Sequence, residues 1–218
     1  MLFDKKKPSM CFGMDGSGID EHLITLPFLF RHIKPASKIL DIGCTGSPAS
    51  MLLSILRYNV TGIDYIDYPK QHPNMKFIKG NFNGHDFGKE RYDIVLSMNA
   101  VCHFGLQYYD KSEPKDMQAD VVAMTKVKEL INKGGQLIFT CMYGIQEIVT
   151  ESGKAFSRVY DDRLLDVLLS TFEVQNTEYY MITDRKNIRQ VPREEAMQSR
   201  HYRNSGTYAI ACINAFKQ

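Results

Sequence analysis

Lys38-Ile39-Leu40-Asp41-Ile42-Gly43-Cys44-Thr45-Gly46-Ser47-Pro48 is the stretch whose reading decides the fold. A short apolar run ends in an Asp, small residues make a turn, and Pro48 opens a helical pattern. Strand, tight turn and helix form the entrance to a nucleotide-type site. Small residues admit a ligand close to the backbone, and the helix N-terminus presents unpaired N–H groups. A dinucleotide reader carries G-x-G-x-x-G at this turn. Here Gly43 and Gly46 are the glycines, Pro48 and Ala49 follow, and the third glycine that packs helix on strand is missing. A pyrophosphate ligand is therefore disfavoured.

Working outward, strands and helices alternate. Strands are predicted at Lys38–Ile42, Asn59–Tyr65, Met75–Ile78, Tyr92–Met98, Gln136–Cys141, Phe172–Ile182 and Thr207–Phe216. Tyr92–Met98 is a nearly unbroken apolar run, the mark of a strand covered on both faces. Alternation of this kind means an α/β fold: a doubly wound, mostly parallel seven-stranded sheet with helices on both faces. The last two strands lack a full helix between them, which predicts an antiparallel C-terminal edge strand. Ahead of the first strand, Leu23, Leu26, Leu29, Phe30 and Ile33 fall at helical spacing, with Pro27 as a kink. Residues 1–18 read as a mobile arm and 19–218 as one domain, with a polar insertion at 183–206 that is too long for a tight hairpin.

Composition sets further bounds. Of 218 residues, 44% are hydrophobic, which is ordinary for a globular core, and the net charge of +2 by itself argues neither for nor against nucleic acid. Five scattered cysteines without a C-x-x-C pattern read as reduced thiols in a cytoplasmic protein. Lys5, Lys6 and Lys7 have no apolar run behind them, so no secretory signal is expected, and no apolar stretch reaches membrane-spanning length. The histidines lack ligand-like spacing, so no metal site is expected.

In a doubly wound sheet, ligands bind beyond the carboxyl ends of the strands. Strand one ends at Asp41. Strand two ends at Asp64, about 20 residues on, where an acid can accept both ribose hydroxyls. Strand three leads to Gly80-Asn81-Phe82, and strand four ends at Ser97-Met98-Asn99. Leu40-Asp41-Ile42-Gly43-Cys44, Val60-Thr61-Gly62-Ile63-Asp64, Tyr92-Asp93-Ile94-Val95-Leu96-Ser97 and Leu130-Ile131-Asn132-Lys133-Gly134-Gly135-Gln136-Leu137 come in order at normal spacing. Together they resemble the motifs of class I S-adenosylmethionine-dependent methyltransferases.

That resemblance implies S-adenosylmethionine as cofactor and S-adenosylhomocysteine as product. The implied cofactor contacts are Asp41, Gly43, Cys44, Thr45, Gly46, Asp64, Tyr65, Asn81, Phe82, Ser97 and Met98. Thr45 and Ser47 depart from the family's glycines, and Asn81 stands where an Asp often accepts from adenine. A narrower resemblance runs through His103-Phe104-Gly105-Leu106, Tyr109-Asp110, Asp120, Ala123, Gly144 and Phe156-Ser157-Arg158-Val159-Tyr160. It points to a little-characterised branch associated with small-molecule or glycan modification, with Cys102 and Ser157 replacing that branch's usual Glu and His.

His103, just past strand four, is the candidate general base, since an imidazole titrates near neutral pH. Tyr108, Tyr109, Arg158 and Tyr160 are the candidate acceptor contacts, with the loop from Tyr143 to Ser157 rimming the site. Arg158 and the basic residues of the insertion would suit an anionic acceptor. A solvated lobe or a homodimer contact accounts for the insertion equally well. The expected activity is methylation of a small-molecule acceptor, on oxygen and of a sugar or glycan precursor, by a monomer or homodimer. The alternatives are a non-catalytic S-adenosylmethionine-binding partner protein, an RNA methyltransferase and an NAD-dependent oxidoreductase.

Overall fold

The computed structural model describes residues 21–36, 38–68, 72–109, 115–184, 187–200 and 206–218. The arm expected over residues 1–18 lies outside them. Helix α1 (His22–His32) leads into β1 (Lys38–Ile42), α2 (Ala49–Ile55), β2 (Asn59–Asp64), β3 (Met75–Lys79) and β4 (Tyr92–Met98). Then come α3 (Ala119–Leu130), β5 (Ile131–Tyr143), a hairpin of β6 (Glu147–Glu151) and β7 (Lys154–Val159), and α4 (Asp162–Leu169). The chain continues through β8 (Phe172–Thr183), β9 (Asn187–Val191), α5 (Arg193–Met197) and β10 (Tyr208–Lys217).

Eight strands form one sheet in the order β3-β2-β1-β4-β5-β10-β8-β9. Strands β1 to β5 are parallel. Strand β10 runs antiparallel between β5 and β8, and β9 is antiparallel at the edge. The extra strand beyond the seven expected is β9, which comes from the polar insertion. An edge strand half open to water needs few apolar residues. Here Ile188 and Val191 pack inward while Arg189 and Gln190 are exposed, so the segment has no apolar run to betray it. The insertion also carries α5.

Alternate residues of each strand serve opposite faces, as the two-residue pleat requires. Ile39, Ile94, Leu96 and Ile138 pack with Ile24, Phe28 and Leu29 of α1 and Ala49 and Leu53 of α2. Leu40, Val95, Leu137 and Phe139 pack with α3 and α4 through Ala123, Val127, Leu165 and Leu168. The α1 stripe is rotated from the expected one: Ile24, Thr25, Phe28 and Leu29 are buried, while Leu23 and Phe30 are exposed. Packing against the sheet selects the face, and Thr25 is tolerated inward because it borders a cleft rather than close-packed core.

Helix α4 starts where Asp161 accepts from the Leu164 N–H at 2.9 Å, a side-chain cap on otherwise orphaned donors. The described cysteines Cys44, Cys102, Cys141 and Cys212 are all free and buried. Among the described residues no helix is long and apolar enough to cross a membrane.

Candidate active site

A cleft of about 520 Å³ opens beyond the carboxyl ends of β1, β2 and β4. One half is built by the turn after β1. Gly43 has φ +73°, and its N–H donates to the Ile63 carbonyl at 2.9 Å. A Cβ added there would lie 2.4 Å from the Ala100 Cβ. Gly43→Ala therefore combines a left-handed backbone with overpacking, and we expect a loss on the order of 3 kcal/mol, measurable by urea unfolding. At Gly46 a Cβ would meet nothing within 4 Å, because that position faces the cleft.

Asp64 stands across from this turn. Its two carboxylate oxygens accept from the N–H of Thr45 at 2.9 Å and of Ile66 at 3.0 Å. Each oxygen keeps a lone pair for a ligand. The Thr45 hydroxyl donates to the Ile66 carbonyl at 3.1 Å, so this departure from glycine ties the turn to the segment after β2 instead of filling the cleft.

Of the predicted cofactor contacts, Gly43, Gly46, Asp64, Tyr65, Phe82 and Met98 line the cleft, and Asp41, Cys44, Thr45, Asn81 and Ser97 do not. Asp41 is buried under the turn and accepts from the Ser50 hydroxyl at 2.7 Å; burial pushes its carboxyl up to about 7. Cys44 packs its thiol into the space left by the missing side chain of Gly62, and burial raises that thiol well above its ordinary range. The Asn81 side-chain oxygen accepts from the Asn83 N–H at 2.8 Å and is spent on closing its own turn. Ser97 is buried between β1 and β5, its hydroxyl without a hydrogen-bond partner among the described residues.

The other half is aromatic. His103 follows β4 in a short 3-10 turn, and its Nδ1 donates to the Phe156 carbonyl at 2.6 Å. A carbonyl can only accept, so Nδ1 carries a proton in either charge state and Nε2 is the nitrogen that exchanges one. Burial pushes the imidazole down. Cys102, the Phe156 carbonyl and Glu21 outweigh it, and the net value is raised to about 8. Rings of Phe156 and Tyr109 lie 4.7 and 5.2 Å from the imidazole, and Tyr108 lies 4.8 Å from Phe156. The Tyr108 hydroxyl donates to Glu151.

Arg158 and Tyr160 are not in this cleft, which corrects the expectation of acceptor contacts there. Both are buried. Arg158 pairs with Asp120 at 3.3 Å and donates to the carbonyls of Cys102, Phe104, Asp116 and Met117. Tyr160 donates to the same Asp120 at 3.0 Å. In β7 it is Phe156, two residues before Arg158 and beside a slip in the hairpin register, that reaches the cleft. The expected loop from Tyr143 to Ser157 is that β6–β7 hairpin.

Glu21, His22, Thr25 and Tyr208 also line the cleft without any signal in the motifs, and Asn99 joins them from the predicted end of strand four. They come from α1, the end of β4 and the start of β10. Asn99 donates to Glu21, and its own oxygen accepts from the Thr140 hydroxyl at 3.1 Å. Thr25 is buried, and its hydroxyl has no partner among the described residues.

Comparison with known proteins gives this cleft a context. Residues 40–139 match the family model described as a methyltransferase domain. The methyltransferase match runs from β1 into β5 and so includes Gly43, Asp64 and His103. Sterol 24-C-methyltransferase of Kluyveromyces lactis is 31% identical over 83 residues, covering 33% of this chain and 22% of that protein. 24-methylenesterol C-methyltransferase 2 of Arabidopsis thaliana is 31% identical over 83 residues, 33% of this chain and 23% of that protein. The chain thus spans about a fifth of the length of these curated relatives.

Among solved structures, the 1,6-didemethyltoxoflavin-N1-methyltransferase of Burkholderia thailandensis, with 1,6-didemethyltoxoflavin and S-adenosylhomocysteine bound, superposes with TM-score 0.60. It is 17% identical and covers 90% of this chain and 76% of its own. TehB from Haemophilus influenzae gives TM-score 0.59 at 17% identity, over 90% of this chain and 62% of its own. The chain has the fold of S-adenosylmethionine-dependent methyltransferases, with the Rossmann-like, mostly parallel sheet that the sequence predicts.

Proposed function

We propose that this protein is an S-adenosylmethionine-dependent methyltransferase acting on a heteroatom of a small-molecule acceptor. The observation that carries the reading is Asp64, a carboxylate already oriented by two backbone N–H groups and facing the same cleft as His103. The residues fit such a cofactor. Gly46 leaves open space at the turn, and the buried Thr25 hydroxyl lacks a partner among the described residues at the cleft wall. Phe82 and Met98 supply apolar surface for a base.

Asp64 would hold the ribose hydroxyls, and the turn from Gly43 to Gly46 would take the amino-acid end. S-adenosylmethionine would supply an electrophilic methyl group on sulfur for the acceptor's lone pair, with S-adenosylhomocysteine as the leaving group. His103 removes the acceptor's proton at Nε2, while the Phe156 carbonyl fixes the ring. Tyr108, Tyr109 and Phe156 exclude water and position the acceptor. A hydroxyl acceptor, a sugar's included, is served by the same base.

Calorimetry with S-adenosylhomocysteine and S-adenosylmethionine tests the reading. Both are expected to bind, and no heat from either at millimolar concentration removes it. A melting-temperature shift with NAD and none with S-adenosylhomocysteine would instead indicate an oxidoreductase. Since the raised His103 must lose its proton to act as a base, turnover should climb with pH and level off above about 8. The same raised value means that protonated His103 contributes stability that is full below its ordinary 6.5 and is lost as pH rises through about 8. His103→Ala should lower turnover by about 10²-fold or more with cofactor affinity kept; unchanged turnover excludes His103.

A further inference from the structure

Apart from His22 and His103, charge on the described wall of the cleft is one-sided. Among the described residues the lining holds two acids, Glu21 and Asp64, and no Lys or Arg. Arg158 is committed to Asp120 and four carbonyls, Arg189 pairs with Glu195, and Arg193 with Asp162. Asp64 belongs to the cofactor half, which leaves Glu21 facing the acceptor half.

Glu21 is held in place by side-chain donors. The Asn99 amide donates to it, and the Thr140 hydroxyl, by donating to the Asn99 oxygen, fixes which end of that amide points at Glu21. Tyr208 supplies a second side-chain hydrogen bond. Among the described residues these are the two side-chain donors to Glu21, and they leave acceptor capacity on its oxygens for a ligand. The same cleft is lined by the rings of Tyr108, Tyr109 and Phe156, and aromatic ring faces attract cations and repel anions.

We propose that the acceptor is a protonatable amine on a compact apolar or aromatic body, with Glu21 holding its nitrogen and the Tyr108–Tyr109–Phe156 wall holding the body. This rests on the methyltransferase reading above. Burial pushes the Glu21 carboxyl up against the pull of Tyr208, His103, His22 and Asn99, and an ammonium beside it favours the charged form. For transfer, the ammonium gives one proton to neutral His103 at Nε2. The freed lone pair forms the nitrogen–carbon bond, the carbon–sulfur bond breaks with its electron pair kept on sulfur, and the methylated ammonium departs.

The test uses three probes of one size, phenethylamine, 2-phenylethanol and 3-phenylpropionate, titrated by calorimetry into the full chain saturated with S-adenosylhomocysteine. Phenethylamine is expected to bind about tenfold or more tighter than the alcohol, with the carboxylate weakest. In Glu21→Gln the preference for the amine is expected to disappear while S-adenosylhomocysteine affinity stays within about threefold, which also reports that the variant is folded. Absence of phenethylamine binding, or equal binding of the alcohol or the carboxylate, overturns the proposal. So does a Glu21→Gln variant that keeps the preference but loses cofactor affinity, since Glu21 would then serve the cofactor. If S-adenosylhomocysteine itself does not bind, the methyltransferase reading and this inference fall together; if it binds without an amine preference, this inference alone falls.

Discussion

Arg158→Met is expected to cost the fold about 3–5 kcal/mol and to lower the melting temperature by roughly 10 °C. The guanidinium and Asp120 are both buried, so removing one leaves the other uncompensated. Four carbonyls between Cys102 and Met117 lose a donor at the same time. This segment carries His103, Tyr108 and Tyr109, and Arg158 is what gathers its ends. Gly105, inside it, has φ +70° and leaves so little room that a Cβ would sit 1.9 Å from the Asp116 carbonyl oxygen. Urea unfolding measures the loss, and less than about 1 kcal/mol would mean the segment is held by other contacts. Adding Asp120→Asn to Arg158→Met removes the stranded charge while leaving an oxygen for Tyr160, and should restore part of the stability. Positioning of His103 would not recover, so turnover should stay low in the double variant.

Asp64→Ala should weaken S-adenosylhomocysteine binding by about 10²-fold or more. Two charge-assisted hydrogen bonds to a ribose are worth roughly 1.5–3 kcal/mol each, and about 1.4 kcal/mol is a factor of ten. The variant also strips the Thr45 and Ile66 N–H groups of their acceptor, loosening the turn. Asp64→Asn keeps one oxygen and should fall between the two. Calorimetry gives the answer directly; a loss under tenfold would remove the ribose from Asp64.

Both predictions draw on features that differ in how openly the chain declares them. Asp64 was legible because the strand-end rule fixes where a residue finishing β2 must lie. Phe82 and Met98 follow from the same rule. Asn81 shows its limit, since a residue can stand at the right end of a strand and still turn its oxygen to its own backbone. Glu21 and Tyr208 lay beyond the rule altogether: they reach the cleft from α1 and from the strand inserted beside β5, and no local spacing encodes that approach.

The hairpin was different. Ser152 and Gly153, with φ +50° and +76°, sit between the alternating segments Glu147–Glu151 and Lys154–Val159. A Ser-Gly pair between alternating runs is a two-residue turn signal that the reading of a plain loop passed over. Recognising it would have placed Phe156 and Arg158 on the same face of a strand, which leaves only their surroundings to separate a ligand contact from a buried tie.

The Glu21–Asn99–Tyr208 cluster has a consequence for how the protein comes into being. During synthesis, β1, β2 and β4 emerge early and can pair among themselves, so the Asp64 side of the cleft is available to a nascent chain. Tyr208 emerges after every other member of that cluster, and β10 must then thread between β5 and β8, closing contacts of high sequence separation. A ribosome-bound or truncated chain ending before β10 therefore lacks one of the donors that hold Glu21, so the Glu21 side of the cleft is completed after the Asp64 side.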